Sequence, residues 1–117
     1  MQTIREFTGA LRLRPGVEAV LVSGNDGLLI EASAGFSLDQ QDLAARIPSL
    51  IAEAVAVGSA SKLGESITVI VEYERGYAIV GSVGNDAVLT ILTTKEADLG
   101  AILFHVRSQR SHIGALV

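Results

Sequence analysis

The sequence predicts one α+β domain with secondary structure in the order α-β-β-α-β-β-β-α. Three segments carry apolar residues at helical spacing, and five short segments are rich in β-branched and aliphatic residues. Tight turns of glycine, asparagine and aspartate separate several of those strands. A length of 117 residues suits a single domain, because domains cluster near ~100–150 residues. We therefore expect one domain over residues 1–117.

The first three elements are predicted to be a helix and a β-hairpin. Thr3 and Glu6 form a capping box, in which a hydroxyl and a carboxylate three residues apart satisfy backbone donors at a helix start. Pro15–Gly16 ends this helix. Strands over 17–23 and 28–32 follow, joined by a turn whose residue types tolerate positive φ.

The longest predicted helix occupies the middle of the chain. Ser37 and Gln40 offer a second capping box at its start, and the helix extends to about Lys62, closed by Gly64. Pro48 lies inside it. Proline costs ~3 kcal/mol in a helix interior, so we expect either a kink there or a break at which the helix restarts.

The last half of the chain is predicted to be a three-stranded meander followed by a helix. The strands cover 67–73, 77–83 and 87–93, and turns containing glycine separate them. A third capping box, Thr93 with Glu96, marks the start of the final helix. Its apolar face comprises Leu99, Ile102, Leu103, Val106 and Ile113.

Composition excludes several classes of function. The chain has no cysteine, so disulfides, zinc–thiolate sites and cysteine nucleophiles are impossible. Its net charge of −4 gives no attraction to phosphate backbones or anionic lipid. No uninterrupted apolar run approaches the ~20 residues that cross a bilayer, and charged residues interrupt any signal-peptide core. We predict a cytoplasmic protein without nucleic acid, membrane insertion or cofactor.

The middle helix predicts a partner. Between Leu43 and Val57 only Arg46, Ser49 and Glu53 clearly favour water, and apolar residues form two adjacent stripes. A helix that rests on one sheet needs a single stripe. The alternative is a generously apolar core helix whose alanines tolerate water. The hydrophobic fraction of 49% and mean hydropathy of +0.44 favour self-association, since symmetric dimers are the commonest oligomers.

The strand after this helix gives the same prediction. Residues 67–72 are β-branched, lack proline and carry one charge near the end, so as a bare edge they would promote aggregation. Pairing with a second copy would cover that edge. The predicted dimer interface comprises Ile47, Leu50, Ile51, Ala54, Val55, Ile67, Val69 and Val71.

The register of these elements resembles the roadblock family. That family includes dynein light chains, scaffold subunits that hold small GTPases, and bacterial regulators of Ras-like GTPases such as MglB. The resemblance covers essentially the whole chain and depends on the register more than on any one motif. It is carried by Gly16–Val20 entering the first strand, the Asp26-Gly27-Leu28 turn, the alanine-rich helix ending at Lys62-Leu63-Gly64, the three later strands, Asp98-Leu99-Gly100, Arg107 and Arg110.

The resemblance implies a profilin-like fold. Its expected form is a five-stranded antiparallel sheet with two terminal helices on one face and the middle helix on the other. Family members pair through the third strand and the middle helix, and they bind GTPases or motor and scaffold subunits, commonly on the face of the paired middle helices. Pro48 departs from a regular helix on that face and puts its shape in question.

The residues themselves suggest no catalytic or metal site. His105 and His112 are seven apart on the last helix, ~10 Å along its axis, too far apart to share a metal. Solvent-exposed helix histidines are the better interpretation. Asp26, Asp39, Asp42 and Asp86 are explained by turn and cap chemistry. We therefore predict a non-enzyme.

Three charged residues are candidates for contact with a partner. Arg46 on the middle helix and Arg75 at a hairpin tip could in principle act as an arginine finger on a GTPase, and Glu53 lies on the same helix. The simpler explanation is that Arg46 forms the polar face of the helix and Arg75 solvates a turn. We assign neither a catalytic role.

Two functions remain open, and a third ranks last. The leading hypothesis is a homodimeric, non-catalytic regulator or adaptor of a small Ras-like GTPase. The alternative is a structural scaffold subunit of a motor or cytoskeletal complex whose binding does not depend on nucleotide. A small-molecule sensor would need a roomy pocket with convergent polar groups, for which the aliphatic core offers little basis.

Overall fold

A computed structural model of the chain describes residues 2–117 and has the predicted element order. Five antiparallel strands form one sheet in the order β2-β1-β5-β4-β3. This arrangement confirms the predicted fold. The elements are α1 (Ile4–Arg12), β1 (Val17–Gly24), β2 (Leu29–Ala34), α2 (Gln40–Ala60), β3 (Thr68–Tyr73), β4 (Gly76–Val83), β5 (Ala87–Thr94) and α3 (Leu99–Leu116).

Alternation along β1 separates two cores. Val20 and Val22 point to one face of the sheet, where α1 and α3 pack. Ala19 and Leu21 point to the other face, where α2 packs through Ala44. Successive strand residues face opposite sides of a sheet, so one β-branched and aliphatic strand supplies both cores.

The two terminal helices cover their face of the sheet with buried side chains. Phe7 and Leu11 of α1 lie in the same cluster as Ile102, Val106 and Ile113 of α3. Leu99 and Leu103 pack against this cluster. The apolar face predicted for the last helix is therefore correct.

The capping box of α1 is present as predicted, but the other two are not. Glu6 N donates to Thr3 Oγ1 at 3.1 Å, and the Glu6 carboxylate accepts from Thr3 N. In α2 the cap is Asp39, not Ser37, and Asp39 Oδ1 accepts from Asp42 N at 3.0 Å.

The start of α3 is displaced in the same way. Its cap is Asp98, which accepts from Ala101 N at 3.0 Å, and not Thr93. Thr93 is unavailable because β5 continues to Thr94, whose N–H donates to Gly16 O at 2.8 Å. Sheet pairing and a better-placed aspartate therefore decide where this helix begins.

Pro48 neither breaks α2 nor restarts it. The helix runs continuously from Gln40 to Ala60 with Pro48 inside. By length and composition alone it could cross a bilayer, a test that core helices of non-membrane proteins also pass. Here the first half of α2 lies on the sheet through Ala44 and Ile47, its two buried residues.

Candidate partner-binding surface

The second half of α2 and the edge strand β3 form a continuous apolar surface. No residue of α2 after Ile47 is buried, although most are apolar. β3 lies at one end of the sheet, paired only with β4. Among residues 2–117, six of the twelve exposed large apolar side chains fall in this one stretch of the chain. They are Val55, Val57, Leu63, Ile67, Ile70 and Tyr73.

A shallow groove of about 540 Å³ separates the end of α2 from β3. Ala54 and Val57 line it from the helix, Val69 lines it from β3, and Ile67 lines it from just before that strand. Leu63, which is 83% exposed, stands in the loop between them. Exposed apolar side chains that lie together in this way are costly to leave in water and are typical of interaction sites.

The eight predicted interface residues are distributed unevenly between this surface and the core. Ile47 is 5% exposed and packs with Val80 and Val88, so its surface is used within the chain. The other seven are half-buried or exposed. Leu50, Ile51 and Val69 pack only partly against the core. Whether these residues pair with a second copy remains a prediction.

Several exposed residues of this surface were missing from the predicted interface. Leu63 lies in the loop after α2 and belongs to neither helix stripe, and Tyr73 shares the face of Val69 and Val71 but stands at the end of β3. Ile70 lies on the opposite face of β3, where it pairs with Ile79 of the α1–α3 core. Leu63 precedes Gly64, which has a φ of +92°. A large apolar residue next to a loop glycine is the sequence signal that indicates this exposed position.

The charge at the end of β3 is neutralised locally. Lys95 forms an ion pair with Glu72, and Tyr77 Oη donates to the same carboxylate at 3.4 Å. The hydrogen bond from Lys95 is the main cause that lowers the pKa of Glu72. The strand edge therefore carries little net charge that would repel another strand.

The three charged candidates lie apart from one another. Arg46 Nε donates to Asp42 Oδ2 at 3.0 Å, a hydrogen bond that raises the pKa of Arg46. Glu53 is exposed about two turns further along α2. Arg75 is exposed in the β3–β4 turn. Within residues 2–117 no hydrogen bond or ion pair joins any two of these three.

No arrangement of side chains among residues 2–117 resembles a metal site of three or more His, Cys, Asp or Glu. His112 is exposed, with Nε2 at 2.8 Å from Gln2 Oε1. His105 is half-buried, which corrects the prediction that both histidines are exposed. The correction has a physical reason: α1 packs beside α3 and shields one flank of that helix.

Comparison with solved structures shows the same fold in several proteins. Gliding protein MglB from Thermus thermophilus is similar with a TM-score of 0.85 at 15% identity, over 97% of this chain and 87% of that one. A Roadblock/LC7 domain from Streptomyces avermitilis gives a TM-score of 0.80 at 20% identity, over 96% and 98%. Profilin II from Acanthamoeba castellanii gives 0.58 at 16% identity, over 86% of each chain.

Sequence comparison assigns the family directly. Comparison with curated protein sequences gives no significant match. The model of the Roadblock/LC7 domain family, however, matches residues 3–93. This range includes α1, α2 and all five strands except the last residue of β5. The chain therefore belongs to the Roadblock/LC7 domain family.

Proposed function

We propose that the protein is a non-catalytic homodimer that binds a small Ras-like GTPase and regulates it or tethers it. The observation that carries this proposal is the uncovered apolar surface of α2 and β3. Membership of the Roadblock/LC7 family and likeness to the fold of MglB support it. One MglB structure is named for a tetrameric arrangement, so the fold is compatible with assembly.

The dimer is proposed to form along β3 and α2. An edge strand presents unpaired N–H and C=O groups, and a second β3 running antiparallel would satisfy them. The outer halves of the two α2 helices would then meet over the joined sheet. Specific interfaces bury about 1,200–2,000 Å² in total, and a strand pair plus a helix pair suits that range.

The GTPase is proposed to bind the face formed by the paired α2 helices. Arg46 and Glu53 are exposed on α2, and Arg75 is exposed at the β3–β4 turn. Complementary charges at the rim of an interface set orientation and association rate more than affinity. In this role the three residues orient the GTPase, and the GTPase retains its own catalytic groups.

Nucleotide-dependent capture tests the proposal. The purified protein is immobilised and exposed to cytosol from its source organism, once with a non-hydrolysable GTP analogue and once with GDP, and mass spectrometry identifies what is retained. We expect a small GTPase in one nucleotide state only. A bait with Glu53→Lys should capture less of it, whereas Leu13→Asp, an exposed position at the end of α1 on the opposite face of the sheet from α2, should not.

The scaffold alternative gives a different result in the same experiment. Capture of the same proteins in both nucleotide states, with no GTPase among them, would contradict the regulator proposal and favour a structural subunit. If a GTPase is captured, its hydrolysis rate is then measured with and without the purified protein. A changed rate would indicate regulation, and an unchanged rate would indicate tethering.

A further inference from the structure

The two-helix face of the molecule has a charge opposite to that of the whole chain. α1, the following Arg14 and α3 carry five of the nine lysines and arginines but only one of the thirteen carboxylates, Glu6. That carboxylate is engaged by the backbone N–H and hydroxyl of Thr3. α3 itself contains no acidic residue. Arg5 is paired with Glu31 of β2 at 3.6 Å, so the positive charge of this face comes from the other four arginines.

A concave groove of about 190 Å³ lies on this face between α1 and α3. Its floor is apolar and includes Phe7 and Leu11, which are 4% and 2% exposed. Arg14, His105 and Gln109 line its sides. The groove therefore combines a recessed apolar floor with donors and positive charge at its rim, the composition of a peptide-binding cleft.

The described lining of this groove holds no carboxylate, and Glu96 and Asp98 line the neighbouring pocket together with Arg14. Among residues 2–117 no carboxylate forms an ion pair with Arg14. Burial lowers the pKa of His105, and the charge of Arg14 lowers it further. A nearby carboxylate would act in the opposite sense.

Two exposed apolar side chains adjoin the groove in sequence. Leu13, at the end of α1, is 74% exposed and precedes Arg14. Phe104 is 76% exposed and precedes His105 on α3. Arginine and aromatic residues together are enriched where proteins bind one another. These two side chains would contact apolar residues of a bound segment beside its charged ones.

We propose that the α1–α3 groove binds an acidic segment of a partner protein, with carboxylates at Arg14 and His105 and an apolar side chain over Phe7 and Leu11. The site is separate from the α2–β3 surface, so the inference does not depend on the proposed GTPase binding. A chain segment fits a recessed floor, whereas a flat bilayer reaches only protruding groups. The net charge of −4 also opposes approach to an extended anionic surface.

The first test is an NMR titration of the isotope-labelled full chain with a short amphipathic peptide of glutamate, leucine and alanine. A peptide with lysine in place of glutamate is the control. We expect shifts centred on Arg14, His105 and Gln109 with the acidic peptide only. Binding should also raise the pKa of His105, because a carboxylate beside the imidazole favours its charged form.

Variants separate the groove from general electrostatics. Arg14→Gln removes a charge from the rim and should weaken binding about tenfold, as expected for loss of a charge-assisted hydrogen bond. Phe104→Ser, at an exposed position that does not threaten folding, should also weaken it. The matched control is Lys62→Gln, at an exposed position just after α2, which removes the same charge away from the groove and should leave the dissociation constant unchanged.

Three results would overturn the inference. Shifts confined to α2 and β3 would place the peptide at the other surface. Equal loss in Lys62→Gln and Arg14→Gln would mean that net charge alone governs binding. Sedimentation with vesicles of phosphatidylserine and phosphatidylcholine, dependent on Phe104 and without response to the peptide, would assign this face to a membrane surface.

Discussion

The imidazole of His105 is half-buried and lies near Arg14. Burial and the positive charge of Arg14 both favour the neutral form of the ring. A histidine whose pKa is lower in the folded state than in the unfolded state binds protons preferentially when the chain unfolds. Its contribution to stability is therefore complete above the unfolded pKa near 6.5. The contribution is lost as pH falls from there through the folded pKa.

This linkage predicts a measurable difference between two proteins. Between pH 7 and pH 5, the native chain should lose more free energy of unfolding than the variant His105→Gln, because glutamine cannot take up the proton. Urea unfolding at several pH values measures the difference between the two curves. Carboxylates titrate equally in both and cancel. Parallel curves would show that the environment of His105 does not perturb it.

Gly76 is fixed by close approach of the backbone and not by turn geometry. A Cβ at this position would lie 1.9 Å from Thr93 O on the neighbouring strand. Gly76→Ala must therefore separate β4 from β5 and should lower the free energy of unfolding by at least about 2 kcal/mol. Chemical denaturation measures the loss.

The control for this change is another glycine-to-alanine substitution. A Cβ at Gly9 within α1 would meet nothing within 4 Å. Gly9→Ala should stabilise the protein by about 0.5–1 kcal/mol, because alanine loses less conformational freedom in a helix. Equal effects of the two substitutions would contradict the packing explanation for Gly76.

At the scale of elements, α2 tolerates a proline by packing it against the β1–β2 turn. If Gly27 carried a Cβ, that atom would lie 3.2 Å from Cγ of the Pro48 ring. Gly27 also has a φ of +84°, which disfavours residues with a side chain. The turn and the helix thus fit together only because one residue has no side chain. The contact partly offsets the backbone hydrogen bond that proline removes.

Replacing the proline should nevertheless stabilise the helix. Pro48→Ala restores a backbone N–H inside α2 and is expected to raise the free energy of unfolding by about 1–3 kcal/mol, after loss of the ring contact. Thermal or urea unfolding tests this. The neighbouring exposed Ser49→Ala should change stability by only about 0.5 kcal/mol. A loss of stability in Pro48→Ala would show that the contact with the turn outweighs the helix bond.

How far the sequence predicts these elements depends on which interactions decide them. Periodicity located all eight, because buried stripes such as Ile102, Val106 and Ile113 determine packing. Helix starts were less predictable, because Asp39 and Asp98 compete with plausible caps at Ser37 and Thr93. Sheet pairing excludes Thr93, which lies inside β5. The α1–α3 groove was not predicted, because it depends on how two helices distant in sequence lie together.

On the scale of the whole molecule, the proposed dimer can be tested by its mass in solution. The native protein should have twice the 12.2 kDa of one chain in analytical ultracentrifugation. Val55→Asp places a charge on the exposed side of α2 and should shift the equilibrium towards the monomer. Leu28→Asp replaces a more exposed apolar residue, beside β2 at the opposite end of the sheet from β3, and should not. A native monomer at high concentration would contradict the interface.

Assembly should also make thermal stability depend on concentration. Association with a second copy stabilises only the folded state. The Tm should therefore rise by about 5 °C over a hundredfold increase in protein concentration. Differential scanning fluorimetry across that range measures the slope. The Val55→Asp variant should show a flatter slope. A Tm of the native protein that does not change with concentration would mean that unfolding does not involve dissociation.

The strand order β2-β1-β5-β4-β3 also bears on how the chain acquires its structure during synthesis. The paired residues of β1 and β5 are far apart along the chain, from Val17 with Thr93 at one end to Gly24 with Ala87 at the other. The ribosome makes roughly 5–20 residues per second, so β1 waits several seconds for its second neighbour. Meanwhile the β1–β2 hairpin and the apolar α2 are already made. The interval in which a nascent chain depends on chaperones is therefore set by topology, and it ends only when the fifth strand enters the middle of the sheet.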